Sequence, residues 1–229
     1  MKLTTAAFAL CALTGASAAQ DLVVIQGADP SSSRFYGGAG WSQLSADIDA
    51  VFNSVNVSAN LDDAGALAAA DALWVDQRWT AGTLSGSEIA ALQAFIDSGR
   101  RVVMIGENSV WSTWNTQILS TVGGTFAGDS NGLATPTGAV PALTAGVGSI
   151  GLSAAGVASG GTALFDINFA TLWGDNAVSV LDINIWQNTN YSGDNQQFGR
   201  NVIEWLAVPA PGSAALAGIA GLAVVRRRR

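Results

Sequence analysis

Residues Asp71–Asn108 read DALWVDQRWTAGTLSGSEIAALQAFIDSGRRVVMIGEN. Leu73, Trp74 and Val75, and later Val102 to Ile105, are short apolar runs of the kind buried on both faces of a parallel sheet. Between them Ile89, Leu92, Phe95 and Ile96 recur at helical spacing. Ser85 or Ser87 can cap the start of that helix and Gly99 stops it. Strand, helix and strand in this order make a βαβ unit, and the expected class is α/β: a doubly wound, mostly parallel sheet flanked by helices, in a single domain.

Outward from this unit the same alternation continues. DLVVIQGA from Asp21 to Ala28 is a buried-type strand. A Gly, Ser and Pro-rich loop then leads into a helix carrying Leu44, Ile48, Val51, Phe52 and Val55. Asn56 to Leu61 is a short strand, and Asp62 to Ala70 a brief helix capped by its own aspartates. After Asn108 a helix over roughly 111–122 ends at Gly123 and Gly124. The Gly, Ala, Ser and Thr-rich stretch 125–161 reads as loop with short strands. Strand-like runs follow over 162–169 and 177–186, and 194–207 closes the domain as a helix.

Composition removes several chemistries. The chain has no histidine, which excludes Ser-His-Asp and Cys-His catalysis and histidine-ligated metals. Its one cysteine, Cys11, lies in an N-terminal run with a basic start at Lys2, an apolar stretch from Ala6 to Leu13 and small residues from Ala16 to Ala19. That pattern is a secretory signal peptide over 1–19. A mature chain from residue 20 has neither thiolate nor disulfide. Between residues 20 and 207 there are five arginines against 17 acids, a balance that repels phosphate backbones and argues against a nucleic-acid partner. No cofactor is expected.

The other end, VPAPGSAALAGIAGLAVVRRRR, combines a Pro-Gly break, a small-residue apolar run and four terminal arginines. The thirteen residues from Ser213 to Val225 are shorter than the roughly 20 needed to span a bilayer. This order of Val208, Pro209, Ala210, Pro211 and Gly212, an apolar run, and Arg226, Arg227, Arg228 and Arg229 resembles the PEP-CTERM sorting tail of bacterial surface proteins. VPAP stands where the common form has Pro-Glu-Pro. The resemblance covers residues 208–229. It implies an exosortase-type protease as partner, transient membrane association, and display at the cell surface or in extracellular matrix.

The body, residues 20–207, resembles a class I glutamine amidotransferase-like, flavodoxin-like domain, on DALWVDQRW, LSGSEIAALQAFIDSGRRVVMIGEN and DNQQFGRNVIEWLA. Catalytic members carry a nucleophilic cysteine in the turn after the strand corresponding to Arg101–Ile105. Here that turn is Gly106-Glu107-Asn108-Ser109, so no catalytic residue carries over.

In doubly wound sheets the ligand crevice lies beyond the carboxyl ends of the strands. That rule gathers Asp29, Gln77, Arg78, Trp79, Glu107, Asn108 and Ser109, with Trp111 and Trp114 at the rim and Asp182 and Asn184 joining if the late strand runs parallel. The carboxylates suit acid/base hydrolysis of a glycan, with Glu107 paired to Asp29 or Asp182; the tryptophans suit a platform for a glycan or a matrix component. The plainer alternatives are favoured: Glu107 paired with Arg78 across neighbouring strand ends, and Trp111 and Trp114 as packing. Asp182, Asn184 and Asp194 are oxygen donors that could bind calcium, but their spacing matches no EF-hand loop and turn chemistry is the favoured explanation. The leading expectation is a secreted surface protein with a non-catalytic domain in a binding or structural role. A carboxylate-dependent hydrolase and a calcium-dependent matrix module are the alternatives.

Overall fold

The computed structural model describes residues 20–26, 33–78 and 83–209. The signal segment, Asp29, Trp79 and the tail from Ala210 onward lie outside them.

Nine strands divide between a sheet and a ribbon. In chain order they are β1 (Asp21–Ile25), β2 (Ser54–Ser58), β3 (Ala72–Val75), β4 (Arg101–Ile105), β5 (Thr125–Ala134), β6 (Ile150–Ser159), β7 (Thr162–Ala163), β8 (Ala170–Trp173) and β9 (Ala177–Val180), among the described residues. β5 and β6 pair only with each other, and the other seven form one sheet in the spatial order β2-β1-β3-β4-β9-β8-β7. β2, β1, β3, β4 and β9 run parallel, and β8 and β7 complete the edge antiparallel. Alternate residues along β3 and β4 enter opposite layers, so the continuous apolar runs in the sequence reflect burial on both faces.

Helices α1 (Ser42–Val51) and α6 (Gly193–Leu206) cover one face, where Leu44, Ile48, Phe198 and Val202 pack on Trp74 and Val103. Helices α3 (Gly86–Asp97) and α4 (Ser112–Ser120) cover the other, with Leu92, Phe95, Trp114 and Ile118 against Leu73, Val102 and Met104. A short α2 (Ala64–Ala69) starts at Asp63, whose side chain accepts the N–H groups of Gly65 and Ala66. Ser85 and Glu88 form a reciprocal capping box at the start of α3, and Gly99, at φ +80°, supplies the left-handed residue after its end.

Five local expectations are corrected. Residues 125–161 are not loop with short strands. They form the two ten-residue antiparallel strands β5 and β6, joined through the single turn α5 (Pro141–Thr144). The run 162–169 is a strand only at its first two residues, and the strand within 177–186 stops at Val180, with Ile183–Trp186 a 3-10 turn. α1 is shorter than its apolar pattern: Val51 is exposed and Val55 belongs to β2. β2 in turn spans Ser54–Ser58, earlier than the expected 56–61. Among the described residues no helix is long and apolar enough to cross a membrane.

Candidate functional site

The carboxyl ends of β3, β4 and β9 bring three acids into the interior. Ile105 and Val180 are register partners in β4 and β9, and two residues beyond them stand Glu107 and Asp182. The late strand therefore does run parallel, which was the condition for Asp182 to join. Glu107 is 1% exposed and Asp182 is fully buried. Glu107 Oε2 accepts the N–H of Ile183 at 3.0 Å, and Oε1 accepts Asn108 Nδ2 at 3.3 Å. Asp182 Oδ1 accepts the N–H of Asn184 at 2.8 Å, while Oδ2 has no hydrogen-bond partner.

Burial, then the neighbouring Asp182 charge, pushes Glu107 up to about 8 against the pull of the Ile183 and Asn108 N–H groups and the Arg34 charge. Burial likewise raises Asp182 to about 6, held back mainly by hydrogen bonds from Asn184. The geometry therefore favours a pair that holds a proton near neutrality.

The third acid is Asp76, 1% exposed, just past β3. Its Oδ1 accepts Trp74 Nε1 at 2.8 Å and its Oδ2 accepts the N–H of Tyr36 at 2.9 Å. Burial outweighs both bonds and raises it to about 7. Trp74 in turn packs on Trp186 at 5.6 Å and edge-on to Trp41 at 6.4 Å, so the polar row rests on an aromatic floor.

Asn115 of α4 fixes the turn after β4. Its Oδ1 accepts the Glu107 N–H at 3.1 Å and its Nδ2 donates to the Glu107 carbonyl. A Cβ at Gly106 would stand 2.5 Å from that Oδ1, which is why the position carries no side chain.

The ribbon of β5 and β6 covers the carboxyl ends of β4 and β9. Phe126 and Ala158 pack in the layer with α3 and α4, whereas Ala134, Ile150, Leu152 and Ala155 pack in the layer with α1 and α6. The ribbon thus crosses the carboxyl edge of the sheet from one face to the other. At the crossing Gly156 donates its N–H to the Leu181 carbonyl at 2.7 Å, and a Cβ there would stand 2.3 Å from the Glu107 carbonyl oxygen. Because the obstacle is backbone, Gly156→Val is expected to cost about 1–3 kcal/mol through overpacking, read as a lower urea midpoint for the purified mature chain.

The expected site residues divide accordingly. Glu107, Asn108, Asp182 and Asn184 come together. Arg78 does not pair with Glu107: its guanidinium bonds Glu88, which the capping box holds at the start of α3, and the Thr83 carbonyl. For Glu88 burial alone would raise the carboxyl, but the Arg78 hydrogen bond and the Ser85 N–H bring it down to about 2. Ser109 donates to Asp129 of the ribbon at 2.6 Å. Trp111 is half-buried against the layer of α3 and α4, and Trp114 is buried with Nε1 on the Ile105 carbonyl at 2.7 Å, so neither is a free platform. Asp194 Oδ2 accepts the N–H groups of Gly148 and Ser149, so that oxygen is engaged within the fold. Among the described residues no group of three or more His, Cys, Asp or Glu is placed to hold a metal. An open groove of about 360 Å³ lies at the opposite end of the sheet, lined by residues that include Gln93, Asp97, Trp173 and Asn176.

Asp76 and Asn115 do not stand out in the sequence. Asp76 lies at the level that the strand-end rule selects, one step inside Gln77; nothing local marks Asn115, whose partners are tertiary.

No protein-family model matches the chain, and no curated protein does. Among solved structures, the N-terminal domain of mmIFT52 is similar with a TM-score of 0.63 at 10% identity, over 82% of this chain and 97% of that one. A ThuA-like protein from Bacteroides uniformis ATCC 8492 gives 0.51 at 9% identity, over 84% and 92%. A GMP synthase protein from Thermoplasma acidophilum gives 0.47 at 9% identity, over 83% and 93%, too low to argue from. At such identities the likeness is one of fold alone.

Proposed function

We propose that this chain is an exported protein, delivered by a signal peptide over 1–19 and a PEP-CTERM-type tail over 208–229, whose 20–207 domain serves a binding or structural role at the cell surface or in extracellular matrix rather than catalysis. The observation that carries the non-catalytic part is the closed carboxyl end. Where the amidotransferase-like resemblance expects an accessible nucleophile, the chain has Glu107, 1% exposed beneath Gly156. A buried carboxyl group tied to Ile183 and Asn108 reaches no glycan without the ribbon first moving. An exosortase-type protease remains the proposed partner at the tail, and a glycan or matrix component the proposed ligand class of an exposed surface. Secretion and sorting rest on the two end motifs in the sequence.

The hydrolase reading retains one favouring observation, the adjacency of Glu107 and Asp182 with both carboxyls poorly solvated. One experiment separates the two. The purified mature chain, assayed on a panel of glycosides, esters and amides, is expected to release no product above a Glu107→Gln control. Turnover lost in that variant, with its fold intact, would establish the hydrolase instead. For sorting, intact-mass analysis of the cell-surface fraction is expected to find a chain lacking residues 1–19 and shortened near 208–212. A surface chain ending at Arg229 would contradict processing.

A further inference from the structure

The bend of the ribbon sits directly on the acid pair. Residues 153–156 make the crossing: the Ser153 N–H acts to lower the Asp182 carboxyl, and Gly156 bonds Leu181 and lies on the Glu107 carbonyl. Ala154 between them has φ +54°, the left-handed region that costs a non-glycine residue, and its N–H is held by Asn131 Oδ1 of β5 at 2.7 Å. The ribbon therefore keeps water from Glu107 and Asp182 through a backbone that is itself bent against its preference. Two like charges at adjacent strand ends in that setting repel strongly, and solvation relieves them only when the cover lifts.

We propose that Glu107 and Asp182 form a proton-dependent latch: while the pair retains a proton the β5–β6 ribbon stays shut over the carboxyl end of the sheet, and once both groups are ionised the ribbon lifts and admits water to that end. The latch concerns conformation and does not depend on the function proposed above.

Among the described residues, the charged groups that bear on the pair are few. From β4 comes Glu107 itself and from β9 Asp182. From the loop before α1 comes Arg34, whose charge favours ionised Glu107. From the end of β3 comes Asp76, held by Trp74 and Tyr36. The ribbon brings Asp129, bonded to Ser109. The turn Ile183–Trp186 adds only N–H groups and the Asn184 amide, which do not titrate. One cation against two carboxylates leaves the doubly ionised pair undercompensated. Because the pair keeps its last proton until Glu107 ionises, opening is centred at about pH 8 and completes above it.

The test is amide hydrogen exchange of the full mature chain at pH 6 and pH 8.5, each amide referred to its intrinsic rate, comparing the ribbon with β1 and β3. The latch is expected to lower ribbon protection at least tenfold between the two pH values, beyond any change in β1 and β3, and Glu107→Gln, which cannot ionise, is expected to abolish that extra loss. Should E107Q fail to fold, Asp182→Asn is read in the same way. Ribbon protection that is unchanged in wild type, or that falls equally in wild type and in the folded variant, overturns the latch.

Discussion

Trp74→Ala is expected to remove about 3–5 kcal/mol of stability, lowering the thermal midpoint by on the order of 10 °C. Trp74 is fully buried at the centre of the sheet, against Trp186 at 5.6 Å and Trp41 at 6.4 Å. The cavity left by the indole cannot collapse readily, because its walls are other rigid rings and the parallel strands β1 and β4. The substitution also takes Nε1 from Asp76, leaving a buried carboxyl group with one donor, the Tyr36 N–H. Trp74→Phe separates the two contributions. It restores much of the packed volume but not the donor, so a residual loss of about 1–3 kcal/mol measures the bond to Asp76. Equal stability of W74F and wild type by urea unfolding would show that Asp76 has no need of that donor.

A second large effect is the fall of stability as pH rises. Asp76, Glu107 and Asp182 have folded values raised to about 7, 8 and 6, above the ordinary 3.8 or 4.5. Below about pH 4 both folded and unfolded chains carry these protons, and the groups favour neither state. Between pH 4 and 8 the unfolded chain has released them while the folded chain retains them, so each rise in pH favours unfolding, by up to about 1.4 kcal/mol per unit for each group. Above the folded values the penalty is complete and constant. Glu88 acts in the opposite sense: lowered to about 2, it contributes stability above about 4.5 that is lost as pH falls from there through 2. The optimum is thus expected at about pH 4, with stability falling steadily from there to about pH 8 as the three contributions add. Thermal midpoints measured across pH 3 to 9 check the sign, and a midpoint that climbs from pH 5 to 8 would refute buried, proton-holding carboxyls.

What could be read from the sequence followed the strength of its periodicity. β1, β3, α3 and β4 were legible because unbroken apolar runs and a helical repeat with Ser85 and Gly99 at its ends admit few other structures. β5 and β6 were not. Small and polar residues dominate β5, and only its last residue, Ala134, is buried. Glycines at 128 and 132 in positive φ interrupt its alternation, so neither the apolar pattern nor strand propensity announces a ten-residue strand. Its pairing is set by its partner and by the edge it wraps.

The site was half legible for a related reason. The strand-end rule finds Glu107 and Asp182 because it is topological. Arg78 was assigned the wrong acid because Glu88, by spacing one more polar residue on α3, is turned back by its own capping box into reach of the guanidinium. That the crevice is filled could not be read at all, since the filling segment showed no recognisable strands.

Carboxyl footprinting of the native mature chain at pH 6, with a carbodiimide and a glycine ester read by peptide mass spectrometry, addresses the closed carboxyl end directly. Asp97, on the exposed end of α3, is expected to be derivatised, and Glu107 and Asp182 to remain unmodified until the chain is unfolded. Modification of Glu107 at the rate of Asp97 would mean that the crevice is open to solvent, and the account of a covered, non-catalytic edge would have to be abandoned.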